Sequence, residues 1–422
     1  MGGIIGSGIF VNPSVVAKMV HTPFYIVLAW AIGGLVAIVG AGVFAELAAR
    51  RPHDGGVYAY LRDAYHPLVA FCYGWTLLLV SQSGGSAAAA VTFAFYLQPI
   101  IGTLTNVQQT IIAVTALALF TVVNCFGVRE STSTQNGFMI AKIVAIVAVI
   151  CSGFFAVRAT ASVGTPMLPA DFNPFVAIGL TLVPVMFSYS GWQTSTFMAG
   201  ETRDSNRSLP LGILIGVLGV IALYLGMVIV CLWVLGPERL ANTMTPASDV
   251  VRAAIGPVGA KVMASIVALS TLGFIANQIL TSPRVYFQMA ADRTFFKQLA
   301  WISPRTHVPV VAILVQGAAA IAIACSGSYN VILDWVTSID YVFFGFAALA
   351  IFIFRRRDRV AGATEPWFRI PLHPWSTLLF LVTAWAIVAD VVLKAPLDAS
   401  LGIGVLLTGI PVYYAFALHR GG

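Results

Sequence analysis

Residues 2–10 read Gly-Gly-Ile-Ile-Gly-Ser-Gly-Ile-Phe, and this glycine-rich stretch decides the fold. It lies inside an apolar run, where a simple membrane helix would not carry four glycines and a serine. Each glycine lowers helix stability by about 1 kcal/mol relative to alanine, and it lets another group approach the backbone closely. We therefore predict that the first apolar span is interrupted here.

A second stretch of this kind lies at residues 187–192, which read Phe-Ser-Tyr-Ser-Gly-Trp. Unwound backbone at membrane depth is tolerated only where it is buried in protein or lines a cavity. The free N–H groups where the helix resumes can bind a carboxylate, and the free carbonyls where it stops can bind an ammonium group. Two facing breaks would thus bind a zwitterion. The alternative is close helix packing through small residues.

The composition surrounding these stretches is that of a membrane protein. Of 422 residues, 59% are hydrophobic and 9% charged, and the mean hydropathy is +0.90. A soluble domain is about 45–50% apolar and about 25% charged, so soluble globular, disordered and fibrous classes are excluded. A spanning helix needs about 20 residues, and all but the first of twelve apolar runs are long enough. These runs are 1–20, 23–49, 68–98, 108–126, 138–157, 174–199, 209–235, 262–282, 308–325, 328–354, 373–394 and 399–418.

The basic residues predict the orientation. Of 23 lysines and arginines, 16 fall in loops on one side and six on the other, with Lys142 inside a span. The richer side is expected to be cytoplasmic, which places both termini there in a multi-pass protein of the cell membrane. This partition explains the net charge of +7 without a nucleic-acid partner. The scattered cysteines and histidines and the lack of a phosphate-binding loop predict no metal, no cofactor and no ATP hydrolysis.

The two interrupted spans are the first and the sixth, five spans apart. Corresponding interruptions in two halves of a chain point to a transporter site between inverted repeats. Because five is odd, the two halves would have opposite orientations in the membrane.

Four sets of residues, taken in this order, resemble the amino acid–polyamine–organocation superfamily and, within it, the L-type amino-acid transporter branch. They are Gly6-Ser7-Gly8-Ile9-Phe10; Glu46-Leu47 with Pro52, Gly55-Gly56, Tyr58 and Tyr60-Leu61-Arg62; residues 187–192; and Arg284-Val285-Tyr286 with Met289-Ala290, Asp292-Arg293 and Phe295-Phe296. The resemblance implies an all-α integral membrane protein with a LeuT-like fold. Two inverted five-helix repeats, 1–157 and 174–354, would be followed by two C-terminal helices in 372–422. About twelve helices would span the membrane, the first one N-terminally short.

The resemblance also implies the substrate-binding residues, which are Ile4, Gly6, Ser7, Gly8, Phe187, Ser188, Ser190 and Gly191. Backbone N–H groups of Ser7 and Gly8 would hold the substrate carboxylate. Carbonyls near Ile4, Phe187 and Ser190 would hold the α-ammonium group. Tyr189 and Trp192 would form part of a gate over the site.

Two ionisable residues inside spans need an explanation, because an intramembrane charge is costly. Lys142 matches a lysine that the family places near the first and eighth helices, where sodium-coupled relatives hold sodium. Its ammonium group could replace that ion by donating to carbonyls of the first break and to a hydroxyl such as Ser270, and its burial could make proton coupling possible. Snorkelling to the interface is the alternative. Asp340 is a possible part of a side-chain pocket, or makes a structural hydrogen bond between helices.

These observations favour a secondary active transporter, not an enzyme. The expected activity is sodium-independent exchange or permeation of small L-amino acids by alternating access. The alternatives are a proton-coupled symporter, a transporter of cationic amino acids or polyamines, and an inactive or truncated receptor-like fragment. The expected partners are the amino-acid substrate and the lipid bilayer. The loop around 99–108 has no cysteine, so no covalent heavy-chain partner is expected.

Overall fold

The computed structural model describes residues 2–51, 55–127, 132–156, 173–201, 204–326 and 328–418. Within those ranges the secondary structure is entirely helical, which confirms the all-α class. The first half comprises α1 (Gly8–Val20), α2 (Pro23–Arg50), α3 (Val57–Ala64), α4 (Pro67–Thr76), α5 (Gln82–Ile101), α6 (Asn106–Cys125) and α7 (Thr132–Phe155). The rest comprises α8 (Pro174–Tyr189), α9 (Ser205–Ala241), α10 (Pro246–Thr281), α11 (Pro283–Ala291), α12 (Val310–Ser326), α13 (Tyr329–Val360), α14 (Trp375–Lys394) and α15 (Pro396–Leu418).

Eight of the described helical segments are long and apolar enough to cross a membrane. They are Pro23–Arg50, Pro67–Ile101, Asn106–Cys125, Asn136–Phe155, Ser205–Ala241, Pro246–Ala291, Tyr329–Val360 and Trp375–Lys394, and shorter apolar helices cover Gly8–Val20, Val310–Ser326 and Ala399–Ala415. Many outward side chains are large and apolar, among them Leu35, Ile215 and Leu269, which are more than half exposed. Such a surface is stable in lipid and prone to aggregation in water.

Two of the long helices bend at glycine–proline pairs. Gly236 inside α9 has φ 71° and Gly256 inside α10 has φ 81°, and a proline follows each. Proline lacks the N–H for the helical hydrogen bond, and glycine accepts the positive φ that the bend requires. Each helix therefore consists of two segments that meet at a kink.

The interrupted helices lie side by side near the centre of the bundle. Helix α1 contacts α8, α9 and α10, while α8 contacts α1, α2 and α13. The helices around this pair include α5, which packs along α10. The first break therefore faces the second one across buried protein rather than lipid.

A buried ion-pair network closes the end of the bundle near the end of α2. Glu46 is fully buried and accepts hydrogen bonds from Arg50 Nε at 2.8 Å and from Arg355 Nη2 at 2.7 Å. The backbone N–H of Ile370 also donates to this carboxylate, at 2.8 Å. Asp358 bridges Arg50 and Arg51 nearby. The network thereby ties α2 to α13 and to the segment that precedes α14.

Candidate functional site

The first break leaves amide groups free at the start of α1. Residues 2–7 are not helical, and the helix begins at Gly8 without a side-chain cap from Ser7. Phe10 N donates to the Ser7 carbonyl at 3.1 Å. The N–H groups of Ser7, Gly8 and Ile9 donate to no group within the described part of the chain. These donors and the helix dipole favour an anion such as a carboxylate.

The second break ends the hydrogen-bond ladder of α8. Ser190 N still donates to the Met186 carbonyl at 2.9 Å, but Gly191 N donates to Gln193 Oε1 at 3.0 Å. The Phe187 carbonyl thereby loses its usual helical donor. Gly191 has φ 115°, which favours glycine, and a 3₁₀ helix follows at Trp192–Glu201. Carbonyl oxygens at this end of α8 can accept hydrogen bonds from an ammonium group.

The two breaks are in direct contact. A Cβ atom at Gly8 would lie 2.9 Å from Ser188 Cα, and one at Gly191 would lie 2.2 Å from the Gly3 carbonyl oxygen. The obstacles are backbone atoms, so a flexible side chain cannot relieve the clash. Asn12 on α1 adds a cross-link, since its Nδ2 donates to the Pro184 carbonyl and to Ser188 Oγ, both at 2.8 Å.

A cavity of about 60 Å³ lies where the breaks meet. All eight predicted substrate-binding residues line it: Ile4, Gly6, Ser7, Gly8, Phe187, Ser188, Ser190 and Gly191. Gly3, Gln193, Thr194 and Phe274 complete this part of the wall. Amide donors from one helix and carbonyl acceptors from the other therefore border the same small space.

The Ile4 carbonyl already accepts two hydrogen bonds within the protein. It accepts hydrogen bonds from Gly6 N at 2.8 Å and from the Tyr224 hydroxyl at 3.2 Å. A carbonyl oxygen has two lone pairs, so this group has no further capacity in the conformation observed. The acceptors left for an ammonium group are at the end of α8. Tyr224 was missed from the sequence because a tyrosine in an apolar run resembles core packing.

Lys142 lies beneath the first break. Its side chain is 4% exposed, and its Nζ donates to the Ile5 carbonyl at 3.0 Å. The same nitrogen lies 5.0 Å from the centre of the Phe274 ring, a cation–π distance. Ser270 is also buried, but no hydrogen bond joins it to Lys142 among the described residues. Lys142 thus holds the unwound backbone and does not snorkel.

The two predicted gate residues lie outside the cavity wall in this conformation. The Tyr189 hydroxyl donates to the Trp30 carbonyl at 3.2 Å, and its ring packs against Trp30 and Tyr224. Trp192 packs against Phe44 and Phe344. Both are buried, at 0% and 2% exposure. They anchor the second break in the surrounding core.

Asp340 also lines the cavity, with Val336 and Thr337 of the same helix. It is 7% exposed and has no ion-pair partner in the ranges that the structure describes. Ser81 lines the cavity too and ends a π-helical turn, Leu77–Ser81, that joins α4 to α5. Such turns occur often at functional sites.

Two glutamines in the cavity wall were not predicted. Gln82 on α5 and Gln278 on α10 both line the cavity, and Gln278 Nε2 donates to Gln82 Oε1 at 2.5 Å. A polar amide inside an apolar run is itself a signal, because the membrane interior disfavours it. Both were missed because, apart from the two breaks, only charged residues in the spans were taken as candidates.

Known proteins similar to this chain belong to one family. The sequence profile of the family described as amino acid permease matches residues 1–414. The serine/threonine exchanger SteT of Bacillus subtilis (strain 168) is 24% identical over 423 residues, which cover 100% of this chain and 95% of the relative. The mouse b(0,+)-type amino acid transporter 1 is 27% identical over 428 residues, 100% of this chain and 86% of its own. The mouse large neutral amino acids transporter small subunit 2 is 28% identical over 425 residues, which cover 98% of this chain and 78% of the relative.

Proposed function

The chain belongs to the amino acid permease family and is a multi-pass membrane protein that transports amino acids by secondary transport; we propose that it exchanges small L-amino acids without sodium. This membership does not support the receptor-like alternative, since the similar proteins are transporters. The observation that carries the proposal is the cavity between the two breaks. Free amides of Ser7 and Gly8 hold the carboxylate, and carbonyls of Phe187 and Ser190 hold the ammonium group.

The size of the cavity supports a small substrate. A buried water needs about 10–15 Å³ of such space, so 60 Å³ holds about four to six water-sized groups. That is the scale of the smallest amino acids. Phe274 and Val336 border the space and limit its extension.

Sodium independence rests on the contact of Lys142 with the first break. A sodium ion in that position would be coordinated by carbonyl oxygens, and here the Ile5 carbonyl already accepts a hydrogen bond from an ammonium group at 3.0 Å. The lysine provides a positive charge that is covalently fixed. No ion therefore needs to bind in each cycle.

Helix contacts support two inverted repeats, 1–157 and 174–354, which the two C-terminal helices in 372–422 follow. If α1, α2, α5, α6 and α7 correspond to α8, α9, α10, α12 and α13, each contact between the halves should recur with the two partners exchanged. Helix α1 contacts α9 as α8 contacts α2, and α5 contacts α12 as α10 contacts α6. Helix α7 packs on α10 as α13 packs on α5. The pattern supports a LeuT-like arrangement of about twelve spans.

Alternating access follows from this arrangement. The substrate site lies between the repeats, so rocking one group of helices against the other exposes it to each side in turn. By the charge partition, the protein lies in the cell membrane with both termini in the cytoplasm. The connection between α5 and α6 has no cysteine, so no heavy chain is bound there by a disulfide.

A second candidate is transport of cationic amino acids or proton-coupled symport, and Asp340 is the observation that favours it. A carboxyl group buried without an ion-pair partner is costly to keep charged. A cationic substrate or a proton would remove that cost. The small cavity favours neutral substrates over long cationic ones.

Uptake by proteoliposomes that contain the purified chain tests the proposal. Labelled alanine, serine and lysine are offered to vesicles that are empty or preloaded with unlabelled amino acid, with and without sodium and a pH gradient. We expect uptake of the small neutral substrates into preloaded vesicles only, independent of sodium and of the gradient. Stimulation of empty vesicles by the gradient would favour symport, and strong sodium dependence would contradict the role given to Lys142.

A further inference from the structure

We propose that Gln82 and Gln278 form a specificity-determining pair that hydrogen-bonds a polar group on the substrate side chain. This inference rests on the proposed function, because it assigns the part of the same cavity that the main-chain groups of the substrate do not occupy. It narrows the substrate class to small amino acids whose side chains carry a hydroxyl group.

The two glutamines are held in place by their own hydrogen bonds. They are 4% and 6% exposed and lie on α5 and α10, helices that pack along each other. Gln82 Oε1 accepts hydrogen bonds from Gln278 Nε2 at 2.5 Å and from Ser282 Oγ at 3.1 Å. Side chains fixed in this way are preorganised to bind a ligand.

One polar atom of each side-chain amide is free to bind a ligand. Gln82 Nε2 and Gln278 Oε1 make no hydrogen bond among the described residues, and neither is sealed off from open space. By contrast, Gln316 Oε1, which belongs to a neighbouring glutamine on α12, is both unpartnered and enclosed. Since Gln82 and Gln278 line the cavity, the open space next to their free atoms is the cavity itself.

The chemistry offered to the ligand does not depend on how the two amides are oriented. In the observed orientation the pair presents the N–H₂ of Gln82 as a donor and the oxygen of Gln278 as an acceptor. If both amides were flipped, Gln82 would present the acceptor and Gln278 the donor. A hydroxyl group can accept and donate at once, so a single small substituent can satisfy both partners.

The position of the pair agrees with a side-chain site. The breaks supply partners for the carboxylate and the ammonium group, so the substrate side chain points toward the remaining wall. That wall contains Gln82, Gln278, Ser81, Thr337 and Asp340. These five side chains are polar, and Val336 is an apolar neighbour in the same lining. Together with the cavity of about 60 Å³, this favours serine-sized substrates over larger apolar ones.

Competition between two isosteric amino acids tests the proposal. L-serine and L-2-aminobutyrate differ in a hydroxyl against a methyl group. We measure their inhibition of labelled alanine uptake by proteoliposomes that contain wild type, Gln82→Met, Gln278→Met or Gln316→Met. Methionine is close to glutamine in size. Gln316→Met is the matched control, because Gln316 is fully buried and does not line the cavity.

The wild type is expected to prefer serine by about threefold to tenfold, the effect of one hydrogen bond. Gln82→Met and Gln278→Met should abolish this preference, whereas Gln316→Met should keep it. Equal inhibition of wild type by the two amino acids would overturn the proposal, and this result does not depend on whether the variants fold. A preference unchanged in either cavity variant, or lost equally in Gln316→Met, would also overturn it. If wild type took up no alanine, serine or threonine, the proposed function itself would fail.

Discussion

At the scale of single residues, Gly8 determines how closely the two breaks approach. A methyl group there would lie 2.7 Å from Ser188 Oγ and 2.9 Å from Ser188 Cα. The backbone contact cannot relax without separating α1 from α8 and moving the free amides away from the cavity. We therefore expect Gly8→Ala to reduce alanine uptake by about tenfold or more, a loss of about 1.4 kcal/mol in binding.

Gly212→Ala on α9 is the control for this substitution. No atom lies within 4 Å of a Cβ at Gly212, so uptake should stay at the wild-type level. Wild-type uptake by Gly8→Ala would show that the contact between the breaks does not shape the site.

Lys142 stabilises the first break that borders the cavity. Lys142→Met removes the hydrogen bond to the Ile5 carbonyl and the cation near the Phe274 ring. A buried hydrogen bond to a charged group contributes about 1.5–3 kcal/mol, so we expect the unwound segment to lose its position and uptake to fall about tenfold or more. The measurement is the initial rate of exchange. Lys18→Met, which changes an exposed lysine on α1, should leave the rate unchanged.

At the scale of elements, the α1–α8 pair depends on Asn12. Asn12→Ala removes two inter-helix hydrogen bonds and leaves the Pro184 carbonyl and Ser188 with fewer partners. We expect a loss of about 1–3 kcal/mol in stability, measured as a lower melting temperature in detergent. Asn124→Ala is the comparison, because among the described residues Asn124 donates only to the Phe120 carbonyl of its own helix. A smaller shift for Asn12→Ala than for Asn124→Ala would argue against the cross-link.

The sequence predicted most elements because apolar runs are a local signal. The run 23–49 corresponds to α2 (Pro23–Arg50), residues 2–7 are non-helical, and α8 ends at Tyr189 just before Gly191. The π-helical turn Leu77–Ser81 was not predicted, since no residue in it differs from an ordinary apolar helix. The short helices α3 and α11 were not predicted either, because only apolar runs long enough to cross a bilayer indicate a span.

Among the cavity residues, too, some were visible from a local sequence pattern and others were not. Ser7 and Ser190 were found because glycine and serine stand out in apolar spans. Gln82 and Gln278 were not, although each is a polar amide inside an apolar run; their pairing depends on α5 packing against α10, which no local pattern shows. Tyr189 and Trp192 are buried in the core beside the cavity, a position that only the packing of the whole bundle reveals.

At the scale of the whole molecule, the Glu46 network joins elements that are distant in sequence. Glu46→Gln leaves Arg50 and Arg355 with a weaker partner in a buried site. Breaking a buried ion pair costs about 3–5 kcal/mol, so we expect a markedly lower melting temperature. The affinity of folded protein for substrate should not change, because Glu46 does not line the cavity.

Glu365→Gln is the matched substitution for Glu46→Gln. Glu365 pairs with Arg369 at the surface and is 72% exposed, and such pairs contribute about 0–1 kcal/mol. Its melting temperature should remain close to that of wild type. Equal shifts for both variants would show that burial of the Glu46 network does not matter for stability.

Bare peptide groups at the two breaks are proposed to bind the carboxylate and the ammonium group of one amino acid. Competition experiments can test this by comparing L-alanine with L-alaninamide, which lacks the carboxylate, and L-lactate, which lacks the ammonium group, as inhibitors of labelled alanine uptake. We expect each analogue to inhibit at least about tenfold more weakly than L-alanine, because each leaves one set of peptide groups without its charged partner. Inhibition by either analogue as strong as that by L-alanine would contradict it.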